Sequence, residues 1–114
     1  MDDNRARELL AAQRADAESL LRSVEEAGRE NRAAEDEQAT DYADSAQPLT
    51  EQGMDDALAE SLRARLAAID RAEQRLAAGT YGRSVRSGEP IPDGRLEADP
   101  AAELTVEEAA AQSR

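Results

Sequence analysis

Two stretches of the chain repeat apolar side chains every three or four residues, the spacing that places them on one face of a helix. The first runs from about residue 4 to 37, and its heptad-spaced face is formed by Leu10, Ala17 and Val24, with Ala6, Leu20 and Ala27 on the adjoining row. The second runs from about residue 51 to 78 and carries Leu58, Leu62, Leu66, Ile69, Ala72 and Leu76. Each stretch predicts one long amphipathic helix.

The residues between these stretches, about 38 to 50, interrupt the pattern with polar turn formers and with Pro48, which cannot continue a helix. Gly79 follows the second stretch and is typical of the end of a helix. Two helices joined by a short loop pack as an antiparallel hairpin, because neither can bury its apolar stripe alone. The sequence therefore predicts a coiled-coil hairpin over residues 1–79, with its tip loop at about 38–50.

Residues 80–114 have a different texture, since glycine, proline and serine are frequent in the first half of this region. Thr105 and Glu108 then have the spacing of a capping box, and good helix formers follow them. We expect a compact, irregular module that ends in a short C-terminal helix. The fold class predicted for the whole chain is mostly α.

The chain is strongly acidic, with 26 Asp and Glu against 14 basic residues and a formal net charge of −12. The basic residues are scattered, so direct binding to nucleic acid is disfavoured. An acidic protein can instead dock on a basic protein surface, where its charge speeds the encounter. No apolar run is long enough to span a membrane, and residues 1–4 do not resemble a signal peptide, so we expect a cytoplasmic protein. We also expect a monomer.

Cysteine and histidine are both absent from the sequence, and this limits the chemistry open to the chain. No disulfide can form, zinc cannot be bound by thiolate or imidazole, and only oxygen ligands remain for any metal. The usual pairs of nucleophile and base are missing as well. The sequence therefore predicts neither an enzyme nor a metal cofactor.

The region after the second helix resembles the four-cysteine zinc finger of the DksA/TraR family of RNA polymerase-binding regulators, whose pattern is GxYGxCxxCGxPIxxxRLEAxPxAxxCxxC. The non-cysteine positions that match are Gly79, Tyr81, Gly82, Gly88, Pro90, Ile91, Arg95, Leu96, Glu97, Ala98, Pro100 and Ala102. On these residues the chain is identified as a member of the family. Its finger has kept the spacing of the pattern and lost the metal-binding cysteines.

The four cysteine positions of the pattern fall on Ser84, Ser87, Thr105 and Glu108. Neutral hydroxyls are poor zinc ligands, so the resemblance implies a degenerate finger without metal. The spacing of Thr105 and Glu108 suggests that a hydrogen-bonded helix start replaces the metal-held knuckle. For Ser84 and Ser87 the simpler interpretation is that both are solvated turn residues.

Other positions of the module receive structural roles. The apolar contacts expected to close it on the end of the second helix are Tyr81, Ile91, Leu96 and Leu104, and Arg95 or Glu97 is expected to be paired locally. Asp99 stands where the family has a basic residue. A carboxylate there would repel a phosphate, which disfavours binding of an anionic alarmone such as ppGpp near the finger.

The predicted tip loop contains the sequence Asp41-Tyr42-Ala43-Asp44-Ser45-Ala46, which matches the DxxDxA tip motif of the family. The resemblance implies that the finger rests on the outside of bacterial RNA polymerase while the hairpin enters the secondary channel. Asp41 and Asp44 would bias mobile basic elements or the magnesium environment near the active site, and Ala46 would pack at the contact. The plainer interpretation of the two aspartates is loop and capping chemistry.

A second function of a different class stays open. The hairpin could serve as a non-enzymatic coiled-coil adaptor for another basic or helical partner, with polymerase binding lost. Indifference of that partner to the tip carboxylates would distinguish the adaptor from a polymerase regulator.

Overall fold

The computed structural model describes residues 1–38 and 50–113, with side chains for 1–30 and 53–113. It contains four helices, α1 (Asp3–Gln38), α2 (Thr50–Ala78), α3 (Asp93–Ala98) and α4 (Val106–Gln112). The only extended pairing in these described residues is an isolated antiparallel bridge between Arg83 and Pro90, and they form no strand. The prediction of a mostly helical fold is therefore confirmed.

Contacts divide the chain into two compact units, each of which contains a part of α1 and a part of α2. The first unit is formed by Met1–Ala15 and Leu66–Arg114, and the second by Asp16–Arg65. We refer to them as the terminal unit and the middle unit.

The core of the terminal unit begins where the first turns of α1 pack on the last turns of α2. Its buried residues are Ala6, Leu10, Ile69, Ala72, Leu76 and Ala101. Alanine at several of these positions allows the two helix axes to approach closely. Arg14 of α1 also donates hydrogen bonds to Asp70 and Glu73 of α2, so charged groups flank the apolar contact.

A Schellman motif ends α2 at the glycine that the sequence indicates. Gly79 has a φ of 79°, its N–H donates to the carbonyl of Leu76 at 3.3 Å, and the N–H of Thr80 donates to the carbonyl of Arg75 at 2.9 Å. A residue with a side chain adopts this left-handed conformation at a cost, which explains the glycine. The predicted end of the second helix is confirmed.

In the middle unit the buried positions differ in part from those expected. Ala17, Val24, Ala59 and Leu62 are buried, but two leucines predicted to share the apolar stripe are exposed, Leu20 by 46% and Leu58 by 42%. The expectation for Leu20 and Leu58 was wrong. A straight helix has 3.6 residues per turn, whereas alternating steps of three and four residues average 3.5. The positions that such steps select therefore drift around the helix, and in the first half of α2 the buried face contains Ala59 instead of Leu58.

The C-terminal segment, residues 80–113, has a small apolar cluster of its own within the terminal unit. It consists of Ile91, Leu96 and Ala102, with Met1 and Tyr81 packed against it. Met1 and Tyr81 also pack against the α1–α2 core, so they join the two clusters. The Tyr81 hydroxyl donates to the carbonyl of Pro100 at 2.7 Å, which satisfies its polar end. The predicted contact with the end of the second helix is thus confirmed for Tyr81, whereas Ile91 and Leu96 are buried in the separate cluster of the C-terminal segment.

None of the helices in the described ranges combines the length and the apolar character needed to cross a membrane.

Candidate functional site

A tight turn holds the first two positions at which the family pattern has cysteines. The Ser84 N–H donates to the carbonyl of Glu89 at 2.8 Å, and the Ile91 N–H donates to the carbonyl of Gly82 at 2.8 Å. Inside this ladder the Gly88 N–H returns to the carbonyl of Ser84 at 2.9 Å, with Gly88 at a φ of 77°. The backbone therefore closes this turn through its own hydrogen bonds.

The Ser84 side chain points into the turn and is only 4% exposed. Its Oγ accepts hydrogen bonds from the N–H groups of Arg86, at 3.1 Å, and Ser87, at 3.2 Å. Ser87 is exposed, and its Oγ accepts from the N–H of Glu89 at 3.3 Å. The interpretation of both serines as solvated turn residues is wrong for Ser84, because its hydroxyl organises the turn from inside.

The other two positions start helix α4 with a capping box. The N–H of Glu108 donates to Thr105 Oγ1 at 3.2 Å, and the N–H of Thr105 donates to Glu108 Oε1 at 2.9 Å. Thr105 is 6% exposed, so its hydroxyl needs this partner. The hydrogen-bonded helix start that the sequence suggested is confirmed.

The Glu108 carboxylate is stabilised in its ionised form. Its pKa is lowered to about 2, first because the Ser84 hydroxyl donates to it and next because the backbone of Thr105 does so, with a smaller contribution from Ser87. Hydrogen bonds that the ionised form accepts stabilise that form. Hydroxyl and backbone donors therefore favour the anionic form of Glu108.

The metal implied by the zinc-finger resemblance does not fit these four positions. Structural zinc sites use thiolate and imidazole ligands, whereas these four side chains supply three hydroxyls and one carboxylate. The hydroxyl oxygens of Ser84 and Ser87 are also engaged, because they accept hydrogen bonds from backbone N–H groups of the turn. Among the residues that the structure describes, no group of three or more Asp and Glu side chains is arranged to hold a metal ion.

An ion-pair network that the sequence did not reveal fastens the C-terminal segment to α2. Arg71 Nε and Nη2 donate to the two carboxylate oxygens of Glu103, each at 3.0 Å, and Arg75 Nη1 donates to Glu103 Oε2 at 3.4 Å. These hydrogen bonds and charges, Arg71 first, lower the pKa of Glu103. Arg71 and Arg75 stand four apart on one face of α2, but nothing in that spacing identifies Glu103 as their partner.

A second fastening joins the C-terminal segment to α1. Arg5 donates from Nε and Nη2 to the carboxylate of Glu97, at 3.2 and 3.1 Å. The expectation that Arg95 or Glu97 is paired locally is therefore not met by Glu97, whose partner lies at the other end of the chain, but it is met by Arg95. Arg95 instead donates from Nε to the carbonyl of Leu104 at 3.0 Å, and Leu104 is half-buried.

The tip residues Asp41, Asp44 and Ala46 lie outside the described residues, so their roles stay predictions.

The sequence of the middle unit, Asp16–Arg65, carries most of the net charge of the chain. Its 14 acidic residues and 5 arginines leave −9 of the −12 of the chain. Here Arg63 Nη2 of α2 donates to Glu25 Oε2 of α1 at 2.9 Å. Beside this pair lies a cleft of about 370 Å³, lined by Val24, Glu25, Gly28, Arg29, Asp55, Asp56, Ala59, Glu60 and Arg63.

Comparison with known proteins bears on this arrangement. No family model matches the chain. Its sequence is 35% identical over 96 residues to the RNA polymerase-binding transcription factor DksA of two strains of Caulobacter vibrioides, with 79% of this chain and 68% of each relative covered. The chain belongs to the DksA family. DksA2 from Pseudomonas aeruginosa has a similar solved structure, with a TM-score of 0.72, 27% identity, and coverage of 97% of this chain and 82% of that one. This DksA-family member contains no cysteine.

Proposed function

We propose that this protein binds bacterial RNA polymerase and modulates the initiation of transcription. The observation that carries the proposal is the 35% identity to a relative named an RNA polymerase-binding transcription factor, extending over 79% of this chain. A structural likeness that covers 97% of the chain supports it. The pattern shared with the DksA/TraR finger lies in the C-terminal segment, so the likeness includes both helices and the region beyond them.

In this proposal the chain is organised as a coiled-coil hairpin, residues 1–79, and a degenerate finger module, residues 80–114. Contacts within the two units support an antiparallel order of the helices. In the terminal unit Arg14 of α1 meets Asp70 of α2, and in the middle unit Glu25 of α1 meets Arg63 of α2. Partner numbers fall along α2 as they rise along α1, which is the order that a hairpin requires.

The hairpin tip is the working part, and it enters the secondary channel of the polymerase. A charge of −9 in the middle unit supports its approach to a basic surface or to a bound magnesium ion. Asp41 and Asp44 bias mobile basic elements or the magnesium environment there, and Ala46 packs at the contact. The ion pairs of Arg71 with Glu103 and of Arg5 with Glu97 support a fixed base for the hairpin.

The partner is therefore a protein surface, and the proposal includes neither a catalytic step nor a direct contact with promoter DNA. The net charge of −12 supports this, because a phosphate backbone would repel it. A polymerase partner also implies action in the bacterial cytoplasm, as a monomer that occupies one channel.

Binding to core RNA polymerase tests the proposal, with the DksA of Caulobacter vibrioides as a competitor. Saturable binding that this DksA displaces is expected, since relatives that use one site exclude each other. Increasing salt should weaken binding, because the attraction is largely electrostatic. Absence of binding by the unmodified chain would overturn the proposal and favour the coiled-coil adaptor. Binding that the relative cannot displace would contradict a shared site.

A further inference from the structure

One short stretch of the terminal unit has the opposite charge to the chain as a whole. In residues 79–88 the only charged side chains are those of Arg83 and Arg86, whereas the net charge of the chain is −12. Both arginines are exposed. Among the residues that the structure describes, neither of them forms an ion pair with a carboxylate. We refer to residues 79–88 as the basic turn.

An exposed apolar side chain lies between these two arginines in the sequence. Val85 is 58% exposed, and the other large apolar residue that the structure describes as exposed in the terminal unit is Val106, at 53%. The Val85 N–H donates to the carbonyl of Glu103 at 2.9 Å, and Val106 follows Glu103 by three residues, which span at most about 10 Å. The basic turn therefore presents arginine beside apolar surface, a combination that is enriched in protein–protein interfaces.

Hydrogen bonds fix the backbone of the basic turn. Arg83 Nη1 donates to the carbonyl of Gly88 at 3.1 Å, and the N–H of Arg86 donates to Ser84 Oγ at 3.1 Å. The isolated bridge between Arg83 and Pro90 closes the same turn. A surface that is already ordered loses little conformational entropy when it binds. The side chain of Arg86 forms no hydrogen bond with the described residues, so its guanidinium is available to a partner.

Neither the family pattern nor the interior of the molecule accounts for these side chains. Arg83, Val85 and Arg86 occupy positions that the pattern GxYGxCxxCG leaves open. Ser84 is buried and organises the turn, whereas the other three side chains are exposed. A single exposed valine is common on protein surfaces. Its position between two unpaired arginines on a fixed turn is what indicates a binding surface.

We propose that the basic turn docks on an acidic patch of RNA polymerase, where Arg83 and Arg86 pair with carboxylates and Val85 contacts an apolar side chain. This inference rests on the proposed function and deepens it, because it names the charge of the surface that receives the C-terminal segment. The middle unit, with its charge of −9, requires a basic surface instead. Contacts of opposite sign on one partner fix the register of docking, since the reverse placement would oppose like charges.

Nucleic acid is the poorer partner for the same turn. Phosphates would repel a chain with a net charge of −12, and they offer no apolar contact for Val85. A protein surface that carries carboxylates around an apolar side chain matches both the arginines and the valine.

The affinity for core RNA polymerase, measured without DNA, tests the proposal through the series Arg86→Lys, Arg86→Gln and Arg86→Glu. Arg7→Glu is the control, since Arg7 is an exposed arginine of the same unit and its reversal changes the net charge equally. We expect Arg86→Glu to weaken binding by about tenfold or more, because it opposes like charges. Arg86→Gln should weaken binding less, and Arg86→Lys and Arg7→Glu should bind nearly as the unmodified chain does. Val85→Thr, which keeps the shape of the side chain, should weaken binding several-fold.

The outcomes separate this inference from the proposed function. Binding by the unmodified chain, with equal affinities for Arg86→Glu and Arg7→Glu, would overturn the docking surface and leave polymerase binding in place. Absence of binding by the unmodified chain would overturn the proposed function and this inference with it. Binding to a labelled DNA duplex that Arg86→Gln abolishes would also overturn the inference, because the turn would then bind phosphates. An ordered loss along the Arg86 series, with weaker binding of Val85→Thr and an unchanged Tm in every variant, supports it.

Discussion

Arg71 and Glu103 form a two-point ion pair, in which Nε and Nη2 of the arginine each lie 3.0 Å from a different carboxylate oxygen. Arg71 lies on α2, and Glu103 lies in the connection between α3 and α4. The pair therefore ties the C-terminal segment to the second long helix. Glu103 also faces Arg75, whose Nε and Nη2 are buried and have no hydrogen-bond partner among the described residues.

This geometry predicts unequal effects for the two members of the pair. Glu103→Gln should destabilise the protein by about 1–2 kcal/mol, because it also deprives the buried Arg75 guanidinium of its carboxylate. Arg71→Gln should cost less, about 0.5–1 kcal/mol, since Arg71 is half-exposed and its loss leaves Glu103 paired with Arg75. Urea unfolding of both variants and of the double variant measures these free energies. Equal effects of the two single variants would show that Arg75 does not depend on Glu103.

The capping box of α4 predicts a loss of stability at Thr105. Thr105→Ala removes the hydroxyl that accepts the Glu108 N–H and should lower the free energy of unfolding by about 1 kcal/mol. Thr105→Ser keeps the hydroxyl and should restore most of the loss. Urea unfolding followed by circular dichroism measures both variants. A Thr105→Ser variant as unstable as Thr105→Ala would attribute the effect to packing of the methyl group.

The lowered pKa of Glu108 predicts the direction of a pH effect. Its folded-state pKa, about 2, lies below its ordinary value of 4.5, so its contribution to stability is fully present above pH 4.5. That contribution should be lost as the pH falls from 4.5 toward 2, when the unfolded state binds a proton more readily. The Tm of Glu108→Gln should therefore fall less steeply than that of Glu107→Gln over this range. Parallel slopes for the two variants would contradict the pKa assigned to Glu108.

The spacing of the former ligand positions predicts that a metal site can be rebuilt. A variant combining Ser84→Cys, Ser87→Cys, Thr105→Cys and Glu108→Cys should bind one Zn²⁺ per chain under reducing conditions, because the ligand spacing of a four-cysteine zinc site is then restored. Its unfolding should become sensitive to EDTA. The absorption of bound Co²⁺ reports tetrahedral thiolate ligation. A variant that folds and binds neither metal would show that the four positions do not converge on one site.

Local features were the part of this fold that the sequence could predict. Gly79 ends α2 and Thr105 begins α4 through hydrogen bonds to near neighbours, so a few adjacent residues carry the whole signal. The partners of Arg71 and Arg5 could not be predicted, because each pair forms only when separate elements pack. Leu58 was misassigned because alanine, here Ala59, can occupy a buried helix face as well as leucine can.

In the candidate site, too, the sequence predicted which positions are involved but not the contacts that they make. The family pattern aligned Ser84, Ser87, Thr105 and Glu108 with the cysteine positions, but it did not reveal that the Ser84 hydroxyl is buried and accepts hydrogen bonds from Arg86 and Ser87. Those contacts depend on the folded turn from Gly82 to Ile91. The tip motif stays a prediction from sequence.

We propose that the tip carboxylates act inside the polymerase, and the lifetime of the open promoter complex is the measurement that tests this role. The measurement compares the unmodified chain with the Asp41→Asn, Asp44→Asn double variant. A control variant with Asp36→Asn and Glu37→Gln removes the same charge from the last turn of α1. We expect the unmodified chain and the control to change the lifetime alike, and the tip variant to bind polymerase while leaving the lifetime unchanged. A tip variant that still changes the lifetime as the unmodified chain does would contradict the claim.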